Sequence, residues 1–255
     1  MKKRIVIKLG TGVLSTPAGK SLDTDQFTRL AAEIAELEKE GHSCILVSSA
    51  AIAAGVRVLK LKQRPDDLSG KQACAAAGQP ELMRLYATSF KKHGLAVAQL
   101  LLTHGDIDSF MRRDNARNTL DCLLERGAIP IINENDSVAV EELRFGDNDR
   151  LSAEVSVLAQ ADHLIILTSV DGLQDSRGKR VGKVRDISEA FRFVRPDKGE
   201  ESVGGMKTKL EAVRKVAAAG ISAHILDGRK PRQIHAALHG KDVGTSFPAR
   251  HHIKP

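Results

Sequence analysis

Two lysines occur at positions in the chain where an ammonium group could meet a phosphate. Lys8 ends a short β-branched run and is followed by Gly10 and Gly12. Lys209 follows the glycine pair 204–205. Glycines let backbone N–H groups approach an anion closely, and a helix N-terminus adds partial positive charge. The two segments together indicate a polyphosphate site, although each alone is also explained by an ordinary turn beside a solvated lysine.

Neither common phosphate-binding fingerprint is present in the first segment. A dinucleotide-binding loop requires a third glycine where this chain has Ser15. A Walker loop ending at 19–21 requires a glycine where it has Leu14. Any phosphate chemistry must therefore use a different arrangement.

Carboxylates and amides cluster in two further segments. Asn133-Glu134-Asn135-Asp136 follows an apolar run, and Asp147-Asn148-Asp149 opens a predicted helix. Capping explains one aspartate at a helix start, but two carboxylates and an amide exceed what a cap requires. The two segments predict an anionic pocket that binds an ammonium group or holds lysines, with a surface turn as the alternative.

The loop at 48–55 contains only small side chains and two hydroxyls at a strand-to-helix junction. Small residues allow a ligand to lie against the backbone at a helix N-terminus. Close packing of the helix on the sheet, with a serine cap, explains the same pattern equally well.

These features combine into a prediction of phosphoryl transfer. That reaction requires alignment, cations around the phosphoryl oxygens and a bridging metal, and little covalent help from the protein. We therefore expect no catalytic histidine or cysteine, and His104 is interpreted as a loop residue.

The elements that must position these residues alternate between strands and helices. A helical stripe from Phe27 to Leu37, capped by Asp23 or Thr24, is typical of the helices, and Pro80 is expected to begin a new one. Strands are predicted at 4–9, 44–47, 97–102, 129–132, 164–167 and 223–226. Alternation with continuously apolar strands predicts an α/β fold, a mostly parallel open sheet between two helix layers, in a single domain over 1–255.

Composition excludes several other classes. The formal net charge is +7 with a pI of about 9.4, yet Phe 7, Tyr 1 and Trp 0 supply too few rings for a stacking platform, so no nucleic-acid partner is expected. Three cysteines without a CxxC pair predict neither a disulfide framework nor a zinc site. The apolar runs are too short to span a membrane, which predicts a cytoplasmic protein without a membrane partner.

The chain resembles the glutamate 5-kinases of the amino acid kinase superfamily. The segments that carry the resemblance are KLGTGVLS (8–15), SSAAIAAG (48–55), KQACAAAGQPELM (71–83), LLTHGD (101–106), NARNTL (115–120), INENDSV (132–138), FGDNDRLSA (145–153) and GGMKTKL (204–210). The resemblance runs from about residue 3 to 248, and the pair INEND and GDND-LSA is its specific part. It implies ATP-dependent phosphorylation of the L-glutamate γ-carboxylate, the first step of proline biosynthesis, by a phosphotransferase with a carboxyl acceptor.

The resemblance also implies a role for each matching position. Lys8 contacts the β- and γ-phosphates, Lys209 neutralises the transferring phosphoryl group, and Asp149 holds both lysines. The residues implied for glutamate are Ser49, Asp136, Asn148 and Asp147, with Asp136 at the α-ammonium group. The residues implied for the nucleotide are Lys8, Gly10, Thr168, Ser169, Gly204, Gly205, Met206, Lys207, Thr208 and Lys209. No protein ligand to a metal is implied, because Mg²⁺ is carried by ATP.

Other implications of the resemblance concern regulation and departures from the pattern. Feedback inhibition by proline and a homodimer or homotetramer are implied, and a short form without the C-terminal PUA domain of many members is expected. Ala50 replaces a frequent glycine, Val203 a small polar residue and Ser169 an acidic one. The alternatives are a related kinase such as acetylglutamate kinase, or a non-catalytic amino-acid or nucleotide sensor of the same fold.

Overall fold

A seven-stranded sheet forms the centre of the part of the chain that the structure, a computed structural model, describes: residues 2–16, 21–139, 148–194 and 205–249. Its strands are β1 (Arg4–Leu9), β2 (Ser43–Val47), β3 (Val97–Leu102), β4 (Ile129–Glu134), β5 (His163–Thr168), β6 (Ser222–Asp227) and β7 (Thr245–Phe247). Their order across the sheet is β3-β4-β2-β1-β5-β6-β7. Every pair is parallel except β6 with β7, which confirms the predicted mostly parallel sheet.

The helices pack on both faces of this sheet. They are α1 (Thr11–Leu14), α2 (Thr24–Lys39), α3 (Ala51–Val58), α4 (Leu68–Lys91), α5 (His104–Asp108), α6 (Phe110–Glu125), α7 (Asp149–Leu158), α8 (Ile187–Ala190), α9 (Met206–Ala218) and α10 (Gln233–Leu238), with a short 3₁₀ turn at Phe191–Phe193. The three-layer α/β architecture predicted from the alternation is therefore confirmed.

The side chains of β1 alternate between the two faces of the sheet and pack in two separate hydrophobic clusters. Ile5, Ile7 and Leu9 pack in a cluster with α2, α3, α4 and α10. Val6 points the other way, into a cluster with α6, α7 and α9. Because strand side chains alternate between faces, the next even position, Lys8, lies on the side of α7 and α9.

Helix starts follow their local signals in one case and not in another. Asp23 caps α2, as predicted, by accepting a hydrogen bond from the Gln26 N–H at 3.2 Å. The expectation that Pro80 begins a helix is wrong, because Pro80 lies inside the 24-residue α4. Residues on both sides of it, including Gly78 and Leu82, are buried against the rest of the protein. That burial outweighs the one backbone hydrogen bond that a proline removes.

Two further differences concern short elements. His104 was expected in a loop, but it is the first residue of α5, whose cap is Thr103. The strand β7, which pairs antiparallel with β6 at the edge of the sheet, was not predicted. With three residues, it is too short to show a periodic hydrophobic pattern. Across the described residues, no helix combines the length and the apolar character needed to cross a membrane.

Candidate functional site

Lys8 reaches the site from the central strand of the sheet. It is the penultimate residue of β1 and pairs in register with Val47 on one side and Ile166 on the other. Its side chain is almost fully buried. A buried lysine needs a carboxylate partner, because an isolated ammonium group in the interior is costly.

Asp149 supplies that partner and brings a second lysine to the same point. One of its carboxylate oxygens, Oδ1, lies 2.7 Å from Lys8 Nζ. The other oxygen, Oδ2, lies 3.1 Å from Lys209 Nζ and 2.9 Å from Thr208 Oγ1. We call Lys8, Asp149, Thr208 and Lys209 the lysine cluster. The structure thus brings together three residues that the sequence placed on a strand end and two separate helix starts.

The electrostatics of the lysine cluster favour an anion. Two ammonium groups and one carboxylate leave an excess of one positive charge. Asp149 is the first residue of α7, where the helix dipole stabilises a carboxylate. The residue in the capping position is Asn148, and its side chain makes no capping bond within the described residues. Because Asn148 and not Asp149 occupies the capping position, the Asp149 carboxylate is available to bind the two lysines.

Asn148 connects the lysine cluster to the loop after β2. Its side-chain nitrogen donates to the Ser48 carbonyl and, at 2.7 Å, to Asn133 Oδ1. It also lies 3.5 Å from Ser49 Oγ. Asn133 in turn donates to Gln79 Oε1 on α4 at 3.0 Å. The predicted glutamate residues Ser49 and Asn148 are therefore neighbours, held in place by a buried amide network.

Asp136 lies beside a cavity of about 240 Å³ that opens next to this network. The cavity is also lined by Glu134, Asn135 and Gln79. Burial raises the pKa of Asp136 to about 6, despite the opposing charge of Arg64. Its Oδ1 atom is buried without a hydrogen-bond partner among the described residues. A cation entering the cavity would satisfy that oxygen and restore the ionised form.

The predicted nucleotide residues lie around the ends of β1 and β5 and the start of α9. The Gly10 N–H donates to the Leu167 carbonyl at 3.3 Å, next to Thr168 at the end of β5. A Cβ added to Gly10 would lie 3.9 Å from Lys8 Nζ, so the glycine leaves the ammonium group uncovered on that side. Ser169 is exposed, and its Oγ faces Gly12.

The first turn of α9 completes this edge of the site. Gly205 is the residue before the helix, and no side chain caps it within the described residues. Met206 is half-buried against the core, and Lys207 is exposed. Three of the predicted or singled-out positions, Asp147, Val203 and Gly204, lie outside the described residues.

The departure at Ala50 has a structural consequence. Ala50 adopts a left-handed conformation, with φ of +77°, immediately before α3. Only glycine adopts this region without steric cost, because the Cβ of an L-residue approaches the backbone. The loop beside Ser49 is therefore strained, and a glycine at this position would relieve the strain.

Sequence reasoning missed a second buried charge cluster. His104 Nδ1 lies 2.7 Å from Glu154 Oε2, and His104 Nε2 lies 3.8 Å from Glu134 Oε2. The other oxygen of Glu154 contacts Lys215 at 2.8 Å and Arg150 at 3.0 Å. We call Glu154, His104, Lys215 and Arg150 the histidine cluster. The local signal for this cluster was the spacing of Arg150 and Glu154, at i and i+4 on a helix. Such pairs are common on exposed helices, so the spacing does not indicate a buried cluster.

The comparisons with known proteins place this fold in a family of kinases. The family model described as "Amino acid kinase family" matches residues 3–227, and the chain belongs to that family. Within it, the chain belongs with the glutamate 5-kinases. It is 45% identical over 261 residues to the glutamate 5-kinase of Anaeromyxobacter dehalogenans (strain 2CP-C), covering 98% of this chain and 68% of the relative.

Further comparisons agree with this placement. A glutamate 5-kinase of Thermus thermophilus is 46% identical over 253 residues, which cover 97% of this chain and 68% of the relative. The chain thus spans about two thirds of the length of these relatives. A solved N-acetylglutamate synthase from Neisseria gonorrhoeae, complexed with coenzyme A and L-arginine, superposes with a TM-score of 0.66. It is 15% identical and covers 97% of this chain and 62% of its own, which demonstrates a shared fold.

Proposed function

We propose that this chain transfers the γ-phosphoryl group of ATP to the γ-carboxylate of L-glutamate and thereby catalyses the first step of proline biosynthesis. The observation that carries the proposal is the lysine cluster, in which Asp149 holds two buried ammonium groups at the carboxyl ends of parallel strands. Ligands of open α/β sheets bind at those strand ends. Kinship with glutamate 5-kinases supports the choice of acceptor.

Lys8 and Lys209 supply the positive charge that the reaction requires. A carboxylate and a triphosphate repel each other, so attack requires positive charge around the transferring phosphoryl group. Lys8 is proposed to contact the β- and γ-phosphates, and Lys209 the γ-phosphoryl group during its transfer. Asp149 is a positioning residue that keeps both ammonium groups charged and holds them in position to contact the phosphates. The acceptor needs no general base, since the glutamate side chain is already ionised at pH 7.

Mg²⁺ fits this site as an ion carried by ATP. Both oxygens of Asp149 contact lysine ammonium groups, so this carboxylate already has cationic partners. The chemistry that bound Mg²⁺ would supply is neutralisation of part of the phosphate charge. The proposed nucleotide contacts are Gly10, Thr168, Ser169, Gly205, Met206, Lys207 and Thr208, with Gly204 outside the described residues.

Asp136, Ser49 and Asn148 are proposed to bind glutamate, together with Asp147 outside the described residues. The buried, unpartnered oxygen of Asp136 suits the α-ammonium group. This favours glutamate over N-acetylglutamate, in which acetylation removes the ammonium charge. An amino-acid sensor of the same fold would have no use for two phosphate-binding lysines.

An assay of ADP release with Mg-ATP tests the proposal. The acceptors compared are L-glutamate, N-acetyl-L-glutamate, L-aspartate and UMP at equal concentrations. We expect turnover with glutamate and a hydroxamate product when hydroxylamine traps the acyl phosphate. Turnover with N-acetylglutamate but not with glutamate would overturn the assignment, and ATP binding without turnover on any acceptor would favour the sensor.

Regulation, assembly and location extend the proposal. We propose a single cytoplasmic domain over 1–255, inhibited by proline at a site that overlaps glutamate, and assembled as a homodimer or homotetramer. These points rest on the family and on the continuous sheet. Competition between proline and glutamate in the kinase assay, and the mass measured by light scattering, test inhibition and assembly separately.

A further inference from the structure

Three metal-ligating side chains converge at the end of the sheet opposite the lysine cluster. Glu40 follows α2 and lies three residues before β2 begins. His235 lies on α10, and His239 lies one turn later, just after that helix. Their potential ligand atoms all lie within 4.8 Å of one another. We propose that Glu40, His235 and His239 bind a divalent transition-metal ion of the Zn²⁺ class.

A backbone contact determines the tautomer of His239. Its Nδ1 atom lies 2.9 Å from the backbone carbonyl of His235, and a carbonyl only accepts hydrogen bonds. The proton of the neutral ring is therefore on Nδ1, and Nε2 carries the lone pair. This backbone contact is the one that commonly fixes the tautomer of a metal-binding histidine. The ring also stacks on His235, with centroids 4.1 Å apart, so both imidazoles lie on one face of the helix. The lone pairs of stacked rings run nearly parallel, so binding one ion requires the two rings to turn out of the stack.

His235 and Glu40 already stand at the separation of two ligands on one ion. The distance from His235 Nε2 to Glu40 Oε1 is 3.0 Å. Tetrahedral zinc with bonds of about 2.0–2.1 Å places its ligand atoms about 3.3 Å apart. A metal ion would displace the proton that the imidazole and the carboxylate share, and would bond to both atoms in its place.

The scaffold beneath the three ligands is built without the ion. Glu33 Oε1 accepts hydrogen bonds from the backbone N–H groups of Ile234 at 2.8 Å and His235 at 3.1 Å. Arg232 contacts Glu36 at 2.7 Å. Positions 33, 36 and 40 share one face of the α2 segment, so this face docks α10 at three successive points. The ligands therefore sit on two elements whose relative position is already determined, which lowers the cost of ordering them.

His42 lies beside the site and is not one of the three clustered ligands. Its Nδ1 atom accepts a hydrogen bond from the Lys3 backbone N–H at 3.3 Å, so the neutral ring carries its proton on Nε2. That Nε2 lies 3.7 Å from Glu40 Oε2, which is too far for a hydrogen bond. Three protein ligands leave a coordination position for water.

The donor set selects the class of ion. Two imidazoles and one carboxylate suit Zn²⁺ and its neighbours Co²⁺ and Ni²⁺, whereas Mg²⁺ prefers oxygen ligands and retains its water. The ion would join α2 to α10 at the end of the sheet away from Lys8 and Asp149. Its effect is therefore on stability, and its occupancy is independent of the proposed kinase activity.

Titration of tag-free, chelator-treated protein with Zn²⁺ and with Co²⁺ tests the site. We expect one equivalent of Zn²⁺ bound by calorimetry, a visible ligand-field band with Co²⁺, and a higher Tm on Zn²⁺ addition. Glu40→Gln, His235→Gln and His239→Gln should each weaken Zn²⁺ binding about tenfold or more. His239 is an exposed residue after the helix, so its variant keeps the test valid if either of the others folds poorly.

Two controls separate this site from other histidines. His93→Gln removes a histidine outside the cluster and should leave Zn²⁺ affinity unchanged. His251 and His252 could themselves bind a metal, so the double variant His251→Gln/His252→Gln should also retain the affinity. The proposal is overturned if Zn²⁺ fails to bind, if binding survives His239→Gln, or if it disappears in the double variant.

Discussion

Two buried carboxylates on the same helix hold cations in two different ways. Asp149 at the start of α7 contacts Lys8 and Lys209, and Glu154, just over one turn later, contacts His104, Arg150 and Lys215. Both clusters tie α7 to α9. The side chains of Lys8 and Lys209 are 3% and 9% exposed, whereas those of Arg150 and Lys215 are 60% and 46% exposed.

The difference lies in where the positive charge is directed. The lysine cluster lies at the carboxyl ends of the strands, and its cations have little contact with water. In the histidine cluster, the side chains of Arg150 and Lys215 are largely exposed to solvent, where screening weakens the effect of their charge on a ligand. A buried ion cluster by itself is therefore weak evidence of catalysis. Cations that are shielded from water and lie at the carboxyl ends of the strands, as in the lysine cluster, are stronger evidence of it.

The largest expected effect comes from removing either lysine of the lysine cluster, and a lysine of the histidine cluster is the matched control. Lys8→Ala and Lys209→Ala should each lower kcat about 10²- to 10³-fold, with a much smaller change in the KM for glutamate. Lys215→Ala should leave kcat within about threefold, because its charge is half-exposed. Steady-state kinetics checks this contrast, and a normal kcat in both Lys8→Ala and Lys209→Ala would refute the proposed mechanism.

The two carboxylates should separate activity from stability. Asp149→Asn should lower kcat by about 10²-fold, because the two ammonium groups lose the charge that holds them. Glu154→Gln should cost about 2–4 kcal/mol of the free energy of unfolding, since it leaves buried His104 with a weaker partner, and should change kcat little. Denaturant unfolding measures the free energy of unfolding of both variants, and steady-state kinetics measures their kcat. Equal losses of kcat would erase the distinction between the clusters.

The histidine cluster should contribute to the pH dependence of stability in two pH ranges. Hydrogen bonding to Glu154 raises the pKa of His104, so its stabilisation is full below pH 6.5 and is lost as pH rises through the folded pKa. Burial opposes the lowering of the pKa of Glu154, but hydrogen bonds from His104 and Lys215 lower it to about 2. Its stabilisation is full above pH 4.5 and is lost as pH falls toward 2.

His104→Gln tests this assignment. In the variant, the free energy of unfolding should decline less between pH 6 and 9 than in the unmodified chain. The matched control is His93→Gln, whose profile should follow the unmodified chain. Parallel profiles for all three proteins would remove the histidine cluster as a source of the pH dependence.

The smallest expected effect concerns the loop next to Asn148. Ala50→Gly should raise the free energy of unfolding by up to about 1 kcal/mol, because glycine accepts the left-handed conformation without strain. The kcat should change less than about threefold, since the amide network from Asn148 holds the loop through its backbone. A lower stability in the variant would show that the native loop is unstrained.

Local patterns were sufficient for the six parallel strands of the sheet and for the character of single site residues. The β-branched run at 4–9 predicted β1 and put Lys8 at a strand end, but it did not predict that Lys8 is buried. No local pattern brings Asp149 and Lys209, 60 residues apart, to within 3.1 Å, because that contact depends on how α7 and α9 pack. Resemblance to known kinases supplied this pairing. Gln79 was missed because its role depends on the contact of α4 with Asn133.

The close approach of α3 and α4 has a consequence for motion. A Cβ on Gly55 would lie 1.7 Å from the Cys74 carbonyl oxygen, and one on Gly78 would lie 1.9 Å from that of Ala51. The two backbones touch without intervening side chains, so we expect the paired segments of the two helices to move together. At 1.5 Å per residue, the 24-residue α4 is about 36 Å long. A ligand that displaces the loop at 48–50 should therefore also change amide hydrogen exchange in the part of α4 around Gly78.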